Sequence, residues 1–122
     1  MPATVVDIYT RTATEDAETL TKLEQQETVC RAYCEAHGLT VSLVHREVAS
    51  GAAYQERERL SLMRSRYRDR LIQGVVVSDL YRLSRSHADL TYLLQEMKTT
   101  GITLYCVNTD EVMERMLTIL GL

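Results

Sequence analysis

From Thr4 to Tyr9 the chain is rich in β-branched and aromatic residues, as a strand is, and Thr10 to Glu18 then runs polar without a helical period. The pattern predicts a strand followed by a loop. From Leu20 onward Leu23, Cys30, Tyr33 and Cys34 recur at helical spacing, and Gly38 supplies a left-handed C-terminal stop. Leu39, Val41 and Leu43 alternate with polar residues as a second strand, which enters the small-residue loop Ala49-Ser50-Gly51-Ala52-Ala53. Leu60, Met63, Tyr67 and Leu71 make the apolar stripe of a second helix ended by Gln73-Gly74. Val75-Val76-Val77 is a continuous apolar run, the mark of a central strand covered on both faces in a parallel sheet. Ser86 and Asp89 open a third helix in the manner of a capping box. Leu90, Leu93, Leu94 and Met97 form its buried face, and Gly101 closes it. Ile102 to Val107 is the next strand. A final stripe of Met113, Met116, Leu117 and Leu120 begins another helix.

Strands alternating with helices at this spacing predict an α/β fold: a mainly parallel open sheet of about four to five strands flanked by helices. In such sheets chemistry gathers at the carboxyl ends of the strands. The loops after the first, second and central strands carry Arg11, Arg57, and Arg82 with Arg85, respectively. Taken singly, each arginine reads as a solvated or locally paired side chain, with Glu47, Glu56 and Asp79 as available partners. Their convergence from three loops favours a shared anion site, because gathered like charge is costly without a ligand.

Length and composition narrow the class further. The 122 residues suffice for one hydrophobic core, so a single domain over residues 1–122 is expected. Hydrophobic residues at 45% and charged residues at 25% are ordinary for a globular chain and argue against disorder. No apolar stretch approaches the length that spans a bilayer, and no signal-peptide pattern opens the chain, so a cytoplasmic protein without a membrane partner is expected. An odd count of 3 cysteines favours reduced thiols over a disulfide framework. A net charge of −3 argues against a domain that holds nucleic acid by bulk electrostatics alone, so any DNA contact must be local. Arg57, Arg59, Arg64, Arg66, Arg68 and Arg70 provide local positive charge in one segment. Cys30, Cys34 and His37 share a helical face, but one element offers too few ligands for a structural zinc site, and core packing is the better reading. His45 and His87 stand apart from any motif and are assigned no role.

Several of these segments, in order along nearly the whole chain, resemble the serine site-specific recombinase family of the resolvase/invertase type. Ile8-Tyr9-Thr10-Arg11-Thr12-Ala13-Thr14 is similar to the family's opening motif, Tyr-x-Arg-x-Ser-Thr, with Ala13 falling on the serine. Gln26 matches a glutamine of the first long helix. Glu47-Val48-Ala49-Ser50-Gly51 resembles an acidic-x-x-Ser-Gly loop, and Arg57 with Leu60 matches the opening of the next helix. Tyr81-Arg82-Leu83-Ser84-Arg85-Ser86 is similar to Asp-Arg-Leu-x-Arg-Ser, with Tyr81 in place of the aspartate.

The resemblance implies a resolvase-like catalytic domain for DNA strand exchange. A serine hydroxyl attacks a phosphodiester, forms a 5′-phosphoserine link and frees a 3′ hydroxyl, with no metal or other cofactor. It implies Arg11, Arg57, Arg82 and Arg85 as a phosphate cage at the vacant nucleophile position Ala13, supported by Tyr9, Gln26, Ser50 and Tyr81. Guanidinium forks suit the charge that shifts among phosphoryl oxygens in the transition state. The implied partners are DNA, in the context of a full-length recombinase, and further subunits as a homodimer or tetramer, or an active relative. The family's long dimerisation helix and its separate DNA-binding domain would follow the terminal stripe, and no DNA-binding domain is expected within these residues.

A methyl group cannot attack phosphorus, so the chain as written is expected to be inactive by this route. Thr12 and Thr14 flank Ala13, but neighbouring strand residues point to opposite faces, so neither hydroxyl replaces the missing one without a local slip. Ala13 is either an introduced replacement or a natural loss, and the companion departure at Tyr81 favours natural drift. The alternative function is a catalytically dead, recombinase-like interaction or regulatory module. A nucleotide-binding regulator ranks last, because no Gly-rich phosphate loop follows the first strand.

Overall fold

The computed structural model describes residues 3–13, 15–49 and 57–119. Four strands, β1 (Thr4–Thr12), β2 (Leu39–Val48), β3 (Gly74–Val77) and β4 (Thr103–Cys106), form one sheet in the order β2-β1-β3-β4. Each neighbouring pair is parallel. Helices α1 (Thr19–Ala36), α2 (Glu58–Arg68), α3 (His87–Thr100) and α4 (Glu111–Ile119) follow β1, β2, β3 and β4 respectively. A short 3-10 turn, Leu80–Arg82, lies between β3 and α3. The expected α/β architecture and parallel sheet are therefore present.

Both faces of the sheet are covered, which explains the unbroken apolar run of β3. Val75 and Val77 join Tyr9, the α2 residues Leu60, Met63 and Tyr67, and the α3 residues Leu90, Leu93, Leu94 and Met97 in the larger core. Val76 turns to the opposite face and packs with Val6, Ile8, Cys30 and Cys34 beneath α1. Alternation along a strand thus sends successive apolar residues to two different cores. Cys30 and Cys34 are core side chains, as expected, while His37 is exposed and stacks on Tyr33 with ring centroids 4.0 Å apart.

Several boundaries depart from the sequence reading. β1 continues through the polar residues Thr10 to Thr12, because pairing with the long β2 carries it on to Thr12↔Val48. Arg11 therefore stands on a strand, not in a loop. A register shift in the β1–β2 pairing between Val6 and Ile8 reverses the alternation of β2, so Leu43 is 41% exposed and Val44 packs inward instead. The α2 stripe stops at Tyr67. The helix ends at Arg68 and Arg70 takes a left-handed φ of 61°, which leaves Leu71 exposed and sends Ile72 into the core. Gly74 does not end that helix but opens β3. α3 matches its expected bounds: Ser86 Oγ accepts the Asp89 amide at 3.3 Å, and Gly101 closes the helix at a φ of 76°. β4 spans Thr103–Cys106, one residue shorter at each end than expected. Of the terminal stripe, Leu117 packs against the larger core and Leu120 lies outside the described residues.

Candidate functional site at the carboxyl edge of the sheet

Tyr9, Arg11 and Thr12 belong to the last turns of a strand flanked on both sides, so their backbone is held by β2 while their side chains reach the sheet's carboxyl edge. Arg11 is 6% exposed and its guanidinium donates to three main-chain carbonyls, Arg82 O at 2.9 Å, Ala49 O at 2.7 Å and Tyr81 O at 2.8 Å. One side chain thereby ties the ends of β1, β2 and the 3-10 turn together. Gln26, buried on α1, clamps the Arg11 backbone: its Oε1 accepts the Arg11 amide at 2.9 Å and its Nε2 donates to the Arg11 carbonyl at 3.0 Å.

Arg57 is 4% exposed at the start of α2 and donates through Nη2 to the Tyr9 hydroxyl at 2.7 Å and to Arg82 O at 3.1 Å. Arg11 and Arg57 thus share a carbonyl, with Arg82's own backbone as the meeting point. The Tyr9 hydroxyl donates to Glu47 Oε1 at 2.6 Å, and burial together with that carboxylate pushes its pKa well up, against the pull of Arg57. It therefore stays a donor. Glu47 also accepts the amides of Arg59 at 2.8 Å and Leu60 at 3.2 Å, capping the open N-terminus of α2. Among the unpaired amides of a helix start, a buried carboxylate is both satisfied and stabilising.

Arg82 closes the group, donating through Nη1 to the Arg11 carbonyl at 3.2 Å and through Nε to Asp79 Oδ2 at 3.3 Å. Arg85 is exposed, its guanidinium 5.6 Å from the centroid of the Tyr81 ring. Burial lowers the Arg11 pKa, and repulsion from Arg57, Arg82 and Arg85 lowers it further, against an upward pull from Tyr9. Arg11, Arg57 and Arg82 are joined by hydrogen bonds through the Arg82 and Arg11 carbonyls, while Arg85 contacts the Tyr81 ring and does not line the cleft described below. Ser50 falls outside the described residues.

Beside this cluster opens a cleft of about 520 Å³ lined by Thr12, Ala13, Gln26, Ser78, Asp79 and Arg82, among others. Ala13 is exposed and lies just past the end of β1, so strand alternation no longer separates it from its neighbour, and Thr12 faces the same cleft. Thr14 lies outside the described residues. Sequence reasoning missed Lys22, Gln25, Ser78, Asp79 and Asn108 as cleft residues. Ser78 and Asp79 directly follow β3, and Asn108 follows the residue after β4, so the rule that sites form at strand carboxyl ends would have flagged them.

Sequence reasoning also assigned no role to His45, which is only 2% exposed and sits with its Nε2 2.7 Å from Asp7 Oδ2. Arg66 completes that cluster, donating through Nε to Asp7 Oδ2 at 2.7 Å and through Nη2 to Ser42 Oγ at 2.9 Å. No sequence motif signalled it, because its members come from β1, β2 and α2.

An all-parallel α/β domain with arginines drawn together beside a cleft at the sheet's carboxyl edge is the class that fold and geometry define. The model of the resolvase N-terminal domain family matches residues 6–121, and the chain belongs to that family. No curated protein matches the chain by sequence. Among solved structures, it is similar to the N-terminal catalytic domain of TP901-1 integrase, with 27% identity over 96% of this chain and 91% of that one, and a TM-score of 0.76. It is similar also to the C-terminal catalytic domain of ISC1926 TnpA, an IS607-like serine recombinase, with 25% identity, coverage of 94% and 79%, and a TM-score of 0.76. A resolvase family site-specific recombinase from Streptococcus pneumoniae shares the fold at 22% identity, coverage of 97% and 83%, and a TM-score of 0.75. Among the described residues no helix is long and apolar enough to cross a membrane.

Proposed function

We propose that this chain is a single catalytic domain built for DNA strand exchange, with Ala13 at the position of the attacking serine, and that it does not cleave DNA as written. The observation that carries this reading is the cleft itself, where Ala13 and Arg82 line one wall system and Arg11 and Arg57 are tied behind it through the Arg82 carbonyl. In the proposed reaction a serine Oγ at this position bonds to phosphorus as the bond from phosphorus to the 3′ oxygen breaks, and the proton lost from Oγ passes by way of solvent to the departing oxygen, which leaves as a hydroxyl. Arg82 and Arg85 would meet the phosphoryl oxygens, while Arg11 and Arg57 supply background positive charge and fix the loop ends. Tyr9, Gln26, Ser50 and Tyr81 would support them. The partners are DNA and a second copy of the chain, as a homodimer or tetramer, and the domain acts in the cytoplasm.

Restoring the nucleophile tests the reading. When the chain is joined to the DNA-binding domain of a characterised relative and given that relative's site, Ala13→Ser should form a covalent protein–DNA species. The alanine chain should not, and Ala13→Ser with Arg82→Ala should lose it. An adduct formed by the alanine chain would overturn the assignment of Ala13.

The second reading is a recombinase-like module that pairs with an active relative and performs no chemistry. Two observations favour it: a methyl stands at Ala13, and three donors of Arg11 are committed to main-chain carbonyls. An inert Ala13→Ser chain that still co-purifies with a cleaving relative would decide for this reading.

A further inference from the structure

The arginine beside the empty nucleophile position has only one carboxylate within ion-pairing distance among the described residues, and it does not come from the motif position where the family has an acid. Tyr81 occupies that position. Its ring lies against Arg85, at 5.6 Å, so its side chain serves a different arginine. Two residues upstream, Asp79 follows β3 in an extended conformation and reaches both ends of the Leu80–Arg82 turn. Its Oδ1 accepts the Tyr81 amide at 3.1 Å, which caps the turn, and its Oδ2 accepts Arg82 Nε at 3.3 Å. Ser78 Oγ donates to the same Oδ2 at 3.2 Å, holding the carboxylate from the other side.

Two of the Arg82 nitrogens are thereby fixed, Nε on Asp79 and Nη1 on the Arg11 carbonyl. Nη2 has no hydrogen-bond partner among the described residues, and Asp79 and Arg82 both line the cleft with Ala13. With side chains 32% and 30% exposed, the Arg82–Asp79 pair contributes little to stability. Its effect is directional: a guanidinium held at Nε on one side and at Nη1 on the other is fixed in its plane and presents Nη2 in one orientation.

We propose that Asp79 is a positioning residue that orients Arg82 toward a phosphodiester in the cleft. The proposal rests on the function proposed above, so its test has an arm that does not depend on cleavage. Asp79→Asn is the informative variant, since an asparagine oxygen still caps the turn while the charge is lost. In the chain as it stands, the arginine Nε–Hε resonance of Arg82 reports the grip directly. Asp79→Asn should move that resonance and speed its solvent exchange roughly threefold to fivefold, the scale of a partly exposed ion pair.

The second arm uses the Ala13→Ser chain joined to a DNA-binding domain. There Asp79→Asn should cut the rate of adduct formation by about tenfold to a hundredfold, the cost of a slightly misplaced group. An unchanged Arg82 exchange rate in Asp79→Asn overturns the proposal, as does an unchanged adduct rate in a cleaving chain. If every Ala13→Ser form is inert, the proposed function fails, and the Arg82 resonance alone decides whether Asp79 positions the guanidinium.

Discussion

Asp7 is fully buried on β1, accepting from Arg66 Nε at 2.7 Å and from the Leu43 amide at 3.1 Å, with His45 Nε2 2.7 Å away. A carboxylate has no proton to give, so the imidazole nitrogen must be the donor to it. Burial alone would raise the Asp7 pKa, but the hydrogen bonds from His45 and Arg66 outweigh it and hold the carboxyl below its usual 3.8. Because the folded value lies below the unfolded one, the stabilisation is present above about pH 4 and is lost as pH falls through the folded value. Asp7→Asn strands Arg66 and His45 and should cost about 3–5 kcal/mol near neutral pH, measured by urea unfolding. The gap between variant and parent should narrow below about pH 4. Equal losses at every pH would mean that packing, not charge, holds the cluster.

At the scale of elements, Gly74 shows how closely the strands of this sheet approach. A Cβ there would stand 2.7 Å from Tyr105 Cε2, 3.0 Å from the Thr103 carbonyl and 3.1 Å from Val6 Cγ1. The tyrosine ring can give way, but the Thr103 carbonyl belongs to the paired strand and cannot. Gly74→Ala should therefore destabilise by about 1–3 kcal/mol in thermal unfolding, even though alanine suits a strand backbone at least as well as glycine. α3 was the most legible element, because its cap, apolar face and glycine stop all act within a few residues of one another. The end of α2 was not. Leu71 continued the period, yet the left-handed turn at Arg70 and burial of Ile72 override it, and both depend on how α2 meets β3.

For the whole molecule, the order β2-β1-β3-β4 makes β1 and β3 the inner strands, so residues following them meet at one edge and form the cleft. The proposed self-association is tested at the outer end of α4. Ile119 is 83% exposed there, while Leu117 packs against the larger core. Sedimentation at rising concentration should show a dimer, and Ile119→Glu should shift it toward monomer while matching the parent's unfolding midpoint at concentrations where the parent is monomeric. A monomer at all concentrations would remove the proposed self-association.

The sequence by itself determined the alternation of strands and helices, the doubly covered Val75–Val77 strand and the four arginines in their order. Each is a local signal, carried by periodicity, caps or short motifs, and so it survives without knowledge of the fold. Only the tertiary structure decided what those arginines touch. Arg11 bonds a carbonyl 71 residues away, Arg57 a tyrosine 48 residues away, and Asp7 meets partners on two other elements. The β1–β2 register shift likewise decided which residues of β2 face inward. Strand register, helix ends and buried ion clusters are settled by long-range pairing, because a polar side chain finds its partner only after packing has removed water from around it.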